Sequence, residues 1–197
     1  MSRLLGLEER FPEFSMHACV SSEPGAEFRI VDSHSLEGKW AAIFFWPLDF
    51  TFVCPTELVE FDRELPQFRS LNARVFGVSG DSHYAHLAWR KENPSLRNLG
   101  FPMLADYRKE LAEELGILDP REKVPLRATY LVDPERTIRW LCVNALSVGR
   151  STAEVLRVLE ALQTGELCPG NWSPGQATLE RPADSERLCG GRPPNTP

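Results

Sequence analysis

Cys54 is the residue of this chain best placed to act as a nucleophile. It follows an apolar run, residues 40–46, that predicts a strand buried on both faces and ended by Pro47. Because Pro55 suits the first turn of a helix, the cysteine is predicted to lie at or just before a helix start. Unpaired N–H groups and the positive end of the helix dipole favour a thiolate there, and the thiolate is the reactive form. The pattern therefore predicts a reactive cysteine, with a small buried packing residue as the alternative.

The elements that must position this cysteine follow from the hydrophobic pattern. Strands are predicted at residues 27–31, 40–46, 73–79, 101–106, 128–133 and 137–143. Helices are predicted from Cys54 with a bend at Pro66, after a Ser82 cap at residues 83–92, and at residues 109–115 and 151–163. The strand at 101–106 is expected at a sheet edge because its proline cannot donate to a ladder, and the last two strands form an antiparallel hairpin. The predicted fold class is α/β, with a mixed central sheet flanked by helices.

The composition changes after Gly165, where proline and glycine become frequent and core-forming residues become rare. Such a segment does not form a regular helix or sheet. We expect one domain over residues 1–164 and a C-terminal extension over residues 165–197, disordered from about residue 183.

Composition and charge exclude several classes of function. The net charge of −6 argues against nucleic acid or an anionic membrane as the main partner. No apolar stretch approaches the roughly 20 residues that a membrane span needs. Since the N-terminus turns acidic before a signal-peptide core forms, we expect a cytoplasmic protein.

The five cysteines do not predict a disulfide framework, because their number is odd, their spacings are wide and no Cys-x-x-Cys occurs. A structural metal is not expected either, since no cysteine and histidine share ligand spacing. His83 and His86 share a helix face without a third ligand, which favours a solvated helix.

Residues 49–57, Asp-Phe-Thr-Phe-Val-Cys-Pro-Thr-Glu, resemble the active-site segment of the peroxiredoxins. The similarity is to the typical 2-Cys class, in particular the bacterial alkyl hydroperoxide reductase C proteins, and extends over about residues 11–179. The supporting matches are Gly-Val-Ser-x-Asp-Ser at 77–82, Phe-Pro-Met-Leu-x-Asp at 101–106, Arg127, Val-Gly-Arg at 148–150 and Glu-Leu-Cys-Pro at 166–169. The resemblance implies a thioredoxin-like fold and a thiol-dependent peroxidase without a cofactor.

The family motif Pro-x-x-x-Thr-x-x-Cys matches Pro47, Thr51 and Cys54, and the family arginine matches Arg127. The resemblance implies that Cys54 attacks a hydroperoxide and becomes a sulfenic acid. Arg127 would hold thiolate and peroxide with its fixed donors, while Thr51 contacts the peroxide oxygens and Pro47 shields the pocket.

Two further residues, Glu57 and Arg150, are expected to form an ionic network that holds Arg127. The alternative for this pair is a surface salt bridge, which contributes only about 0–1 kcal/mol.

Cys168 matches the resolving cysteine of the family, which in typical 2-Cys members comes from the partner subunit. A homodimer is then the minimum functional unit, and whether dimers close into a decamer is left open. The disulfide would be reduced by an external dithiol protein, such as a thioredoxin, a flavoprotein or an adaptor. Of the other cysteines, Cys142 is expected to serve packing, and competition of Cys189, in the tail, with Cys168 is the disfavoured alternative.

The chain departs from the family pattern at Trp46, where many members have tyrosine. The Gly-Gly-Leu-Gly insert and the C-terminal Tyr-Phe helix of oxidation-sensitive members are absent as well. We therefore expect an active-site helix that unwinds readily and an enzyme that resists hyperoxidation. Three alternatives remain open from the sequence: a 1-Cys mechanism with Cys168 idle, a holdase chaperone, and a thioredoxin-type reductase, the last disfavoured because no Cys-x-x-Cys exists.

Overall fold

The computed structural model describes residues 3–180. The chain divides into two compact units, one through Leu156 and one from Arg157 onward. No helix within the described residues is long and apolar enough to cross a bilayer.

The first unit is built on a seven-stranded mixed sheet in the order β2-β1-β5-β4-β3-β6-β7. The strands are β1 (Ser15–Cys19), β2 (Phe28–Asp32), β3 (Trp40–Phe45), β4 (Ala73–Ser79), β5 (Met103–Ala105), β6 (Arg127–Val132) and β7 (Ile138–Asn144). The helices are α1 (Cys54–Arg63), α2 (Leu65–Ser70), α3 (His83–Glu92), α4 (Glu110–Glu114) and α5 (Thr152–Thr164), with a 3₁₀ helix at Ser33–Leu36. Strands β3, β4 and β5 run parallel, and the other pairs are antiparallel. The predicted mixed α/β sheet and its hairpin are confirmed.

Strand β3 lies inside the sheet because it pairs with β4 on one side and β6 on the other. All its residues after Trp40 are buried, as the continuous apolar run predicts for a strand covered on both faces. Its side chains Ala41, Ile43 and Phe45 belong to the main core, together with residues of β6 such as Tyr130. The carboxyl end of β3 therefore leads from a rigid part of the molecule directly into the loop before Cys54.

One prediction about a strand was wrong, and one strand was missed. Strand β5 is internal, between β1 and β4, and not at an edge. Its proline does not interrupt the sheet because pairing begins at Met103, while Pro102 contributes its carbonyl oxygen, which accepts from Gly77 N–H at 3.1 Å. Strand β1 was not predicted. It begins with the exposed polar residue Ser15, and only its end, Ala18 and Cys19, is buried, so it lacks a clear hydrophobic pattern.

The helices begin and end where the local signals place them, within about one residue. Pro66 lies in the first turn of α2, so the predicted bend is a break between α1 and α2. The Ser82 side chain accepts from Ala85 N–H at 3.2 Å and caps α3.

The second unit, described as far as residue 180, contains the end of α5 and an irregular segment. Leu167 and Leu179 form an isolated antiparallel bridge, and Trp172 Nε1 donates to the Gln176 carbonyl at 3.1 Å. The predicted domain boundary at residue 164 stays a prediction. The predicted disorder from residue 183 and the competing Cys189 lie outside the described residues.

Candidate active site

Cys54 is the first residue of α1 and is fully buried. Val53, which precedes it, provides no side-chain cap for the helix, and Pro55 in the first turn has no N–H to satisfy. The positive end of the α1 dipole is therefore left for the cysteine, which is a favourable place for a thiolate.

Two side chains contact the sulfur. Thr51 Oγ1 lies 2.9 Å from Cys54 Sγ and 3.0 Å from the Leu48 carbonyl oxygen. Since a hydroxyl carries one proton, Thr51 either donates to a thiolate or donates to Leu48 while it accepts from the thiol. Arg127 Nη1 approaches the sulfur at 3.4 Å from the first residue of β6.

Glu57, one turn along α1, lies between two buried arginines. Its Oε2 accepts from Arg127 Nη1 at 2.6 Å and from Arg150 Nη2 at 2.8 Å, while its Oε1 accepts from Arg150 Nε at 2.8 Å. The side chains of all three residues are 3–4% exposed. The alternative of a surface salt bridge therefore does not apply to this pair.

The two guanidinium groups are fixed by backbone oxygens as well. Arg127 Nε donates to the Leu146 carbonyl at 2.7 Å, and Arg150 Nη1 donates to the carbonyls of Phe45 and Ala128 at 2.7 and 2.9 Å. Within residues 3–180, Arg127 Nη2 has no protein partner, so this donor is available to a bound molecule.

The buried charges of the cluster do not cancel while Cys54 is a thiol. Arg127 and Arg150 carry two positive charges against one negative charge on Glu57, and a Cys54 thiolate makes the sum zero. Burial lowers the pKa of Arg150, and its bonds to Glu57 oppose this shift, which is the expected behaviour of a guanidinium withdrawn from water. The cluster therefore presents one excess positive charge beside the Cys54 sulfur.

Pro47 is buried directly after β3, in the same loop as Thr51. Within the described chain Pro47 makes no hydrogen bond to the polar side chains of the site. Its link to them is its place in the loop, four residues before Thr51. The outer side of this loop is apolar and exposed, with Leu48 at 43%, Phe50 at 51% and Phe52 at 94%.

The sequence interpretation missed two polar residues behind the loop, Asp49 and His86. His86 is fully buried and its Nδ1 lies 2.7 Å from Asp49 Oδ2, so the expectation of a solvated helix was wrong for this residue. The signal was available, because Asp49 is part of the resembling segment and His86 lies on the helical face that contains Trp89 and Arg90, both buried. Within residues 3–180 no group of three ligand side chains is suited to a metal.

The four described cysteines are free thiols. Cys168 belongs to the second unit, where its Sγ lies 3.5 Å from Thr164 Oγ1 and 3.7 Å from the Ala161 carbonyl. Burial raises the pKa of Cys19, which is the opposite of what a nucleophile needs. Cys142 is half-buried in β7, where its Sγ lies 3.3 Å from Asn144 Oδ1.

A mixed sheet that delivers a buried, arginine-contacted cysteine to a helix start defines a thioredoxin-fold thiol enzyme. The AhpC/TSA family model matches residues 7–141, and the chain belongs to this family. Alkyl hydroperoxide reductase C of Mycobacterium tuberculosis is 42% identical over 185 residues, which cover 90% of this chain and 94% of that protein.

Solved structures give the same result. The chain resembles Mycobacterium tuberculosis AhpC with a TM-score of 0.79 at 42% identity, covering 86% of this chain and 99% of that one. It resembles the reduced 2-Cys peroxiredoxin of Plasmodium vivax with a TM-score of 0.81 at 34% identity, covering 87% and 91%. The predicted thioredoxin-like fold and the resemblance to peroxiredoxins are confirmed, and the chain is a peroxiredoxin enzyme.

Proposed function

We propose that this protein is a typical 2-Cys peroxiredoxin, which reduces hydrogen peroxide and organic hydroperoxides with Cys54 as the peroxidatic residue. The observation that carries the proposal is the buried Cys54 sulfur at the start of α1, within reach of Thr51 and Arg127. The names of its relatives, an alkyl hydroperoxide reductase and a 2-Cys peroxiredoxin, support the same chemistry.

In the first step the Cys54 thiolate attacks the terminal oxygen of the hydroperoxide. An S–O bond forms while the O–O bond breaks, so the sulfur is oxidised by two electrons to a sulfenic acid. The leaving oxygen takes up a proton and departs as water or an alcohol. Arg127 Nη2 is the donor we assign to the peroxide, since charge develops on its oxygens as the bond breaks.

In the second step Cys168 of the partner subunit condenses with the sulfenic acid. An S–S bond forms, the S–O bond breaks and water is released. An external dithiol protein, such as a thioredoxin, a flavoprotein or an adaptor, then reduces the disulfide by exchange and returns both thiols. The free Cys168 thiol, followed by Pro169 and Gly170, supports this assignment.

The physiological role that fits this chemistry is antioxidant defence and redox homeostasis in the cytoplasm. The working unit is a homodimer, and sizing experiments decide whether dimers assemble further into a decamer.

A peroxidase assay tests the proposal. Wild-type protein, Cys54→Ser and Cys168→Ser are assayed with hydrogen peroxide and an organic hydroperoxide against a panel of dithiol reductants. We expect turnover in the wild type and none in Cys54→Ser. An inactive wild type with every reductant, or an active Cys54→Ser, contradicts the function.

Non-reducing gels after peroxide treatment test the second cysteine. We expect a disulfide-linked dimer band in the wild type that disappears in Cys168→Ser. Full turnover without this band in Cys168→Ser supports the 1-Cys mechanism instead. Cys142→Ser is the matched control, since it removes another free thiol outside the proposed chemistry and should leave the band intact.

A further inference from the structure

A buried polar cluster lies behind the loop that precedes Cys54. Asp49, in the middle of the loop, accepts from Trp46 Nε1 at 2.9 Å through Oδ1 and faces His86 Nδ1 at 2.7 Å through Oδ2. The side chains of His86 and Asp49 are 0% and 1% exposed. One carboxylate oxygen thus contacts Trp46, directly after β3, and the other contacts His86 of helix α3.

The ring of His86 is held on its other side too. Its Nε2 lies 3.3 Å from the Leu104 carbonyl of β5, so both ring nitrogens face oxygen acceptors. Such surroundings fix the orientation of the imidazole between Asp49 and strand β5. Buried polar side chains are tolerated in a protein interior when they are hydrogen-bonded in this way.

The backbone of Asp49 has its own anchor. Its N–H donates to Asp81 Oδ2 at 2.9 Å, and the same oxygen accepts from Ser79 Oγ at 2.8 Å. Asp81 closely follows β4, so this anchor is fixed to a third strand.

Trp46, the departure from the family pattern, is part of the cluster. A Cβ at Gly77 would lie 2.8 Å from the indole ring, so the large side chain fits because β4 has a glycine opposite it. The indole reaches Asp49 with its N–H, which gives the carboxylate a second donor inside the core.

The loop needs such support because its backbone is strained. Phe50 has φ 56°, a left-handed conformation that a large side chain rarely adopts and that persists where surrounding structure enforces it. The anchored Asp49 comes immediately before this residue, and Thr51 comes immediately after it.

We infer that Asp49 is a positioning residue: its buried bonds to Trp46, His86 and Asp81 hold the strained turn at Phe50 and thereby fix Thr51 against Cys54. The inference rests on the proposed function, since it concerns the reaction of Cys54 with peroxide. Misplacing a reacting group by about 1 Å costs on the order of 100-fold in rate. We therefore expect Asp49→Ala to lower kcat/KM for peroxide by about 10- to 100-fold.

Asp49→Asn is the conservative variant. Its amide oxygen can accept from Trp46 and its NH₂ group can donate to a neutral His86 imidazole, so the turn keeps its bonds without the charge. We expect its kcat/KM within about 3-fold of wild type. Asp106→Ala is the matched control, because it removes another buried carboxylate, which accepts from Leu111 and Ala112 N–H, and should not affect the peroxide reaction.

A double-mutant cycle with Thr51→Val separates positioning from a general loss of structure. If Asp49 acts through the Thr51 hydroxyl, Asp49→Ala should lower kcat/KM by less than about 3-fold in the Thr51→Val background. Alkylation of Cys54 by iodoacetamide should change to the same extent in Asp49→Ala and in Thr51→Val, because both variants take the Thr51 hydroxyl away from the sulfur.

Trp46→Phe keeps the cluster testable if Asp49→Ala does not fold, because it removes a single donor to Asp49. We expect kcat/KM to fall by about 3- to 10-fold in this variant. The inference is overturned if the effects of Asp49→Ala and Thr51→Val are additive. It is also overturned if Asp49→Ala and Trp46→Phe both keep the wild-type kcat/KM. In either case an active wild type leaves the proposed function standing. An inactive wild type refutes the proposed function itself.

Discussion

At the scale of residues, the site depends on the sum of the buried charges of Glu57, Arg127 and Arg150. The sequence predicts the types of residue that meet at Cys54, because a thiolate needs donors and an arginine supplies them permanently. The resemblance predicts a network in which Glu57 and Arg150 hold Arg127. It does not predict that this network is buried, nor that backbone carbonyls such as Leu146 fix the arginines. Those facts depend on which loops approach each other in space, and hydrophobic periodicity does not encode such contacts.

Glu57→Gln tests the charge count. The variant leaves two buried guanidinium groups without their carboxylate, and breaking a buried ion pair by removing one partner costs about 3–5 kcal/mol. We expect the free energy of unfolding of the reduced protein, measured by urea denaturation, to fall by about 3 kcal/mol.

Glu60→Gln is the matched control for that measurement. Glu60 lies on the same helix and pairs with Arg63, but the two side chains are 43% and 65% exposed. We expect a change of less than about 1 kcal/mol, since exposed pairs contribute little. Equal losses in the two variants would contradict the assignment of a special role to Glu57.

At the scale of elements, predictions succeeded where one local signal dominates. Pro55 and Pro66 placed the starts of α1 and α2, the Ser82 cap placed α3, and the apolar run placed β3. The position of β5 inside the sheet was not predictable from Pro102, because strand order depends on long-range pairing. His86 was misassigned because its partner Asp49 is distant in sequence, although the helical face that it shares with the apolar Trp89 was a signal of burial.

The start of α1 carries a prediction about oxidation. Residues 54–56, which precede Glu57 and its bonds to the two arginines, have no side-chain cap, and Glu57 N–H reaches the Val53 carbonyl at a long 3.4 Å, so this short stretch is the part of α1 that we expect to open. With ready opening, the Cys54 sulfenic acid should be resolved before a second peroxide oxidises it further. We expect mass spectrometry to find disulfide rather than Cys54 sulfinic acid at modest peroxide. Sulfinic acid as the main product there would show that the helix start stays closed.

The contact between β1 and α3 carries a prediction about pH. His83 stacks on His17 at 4.6 Å and lies near His86, and burial, followed by these two neighbours, lowers the pKa of His83 below 6.5. Because the folded state favours the neutral ring, its stabilising contribution is complete above the unfolded value and is lost as the pH falls through the folded pKa. The melting temperature should therefore fall between about pH 7.5 and 5.5, and less steeply in His83→Gln.

The control for this slope is His34→Gln. His34 pairs with Glu37 at the surface and its side chain is 76% exposed, so this variant removes a histidine without disturbing the contact between β1 and α3. An identical slope in wild type and His83→Gln would assign the pH dependence to other groups.

At the scale of the whole molecule, family resemblance predicted the fold and enzyme class, while the arrangement of the two cysteines between subunits stays a prediction. A single chain defines the surroundings of Cys54 but not the source of its resolving thiol. Exposed apolar side chains of the loop, among them Phe52, and the outer edge of β7 beyond its bonds with residues 8–10 are features that proteins usually cover. Subunit mixing answers the question directly.

Heterodimers of Cys54→Ser and Cys168→Ser subunits, co-expressed with two different tags and purified through both, contain one intact Cys54 and one intact Cys168 on opposite chains. If resolution occurs between subunits, one of the two sites works, and we expect about half of wild-type activity per dimer together with a disulfide-linked dimer on non-reducing gels. If resolution occurs within one chain, neither subunit holds both thiols, and the heterodimer should show no linked band. Each variant alone lacks one member of the pair, so the restored band in the mixture can arise only from a bond across the dimer.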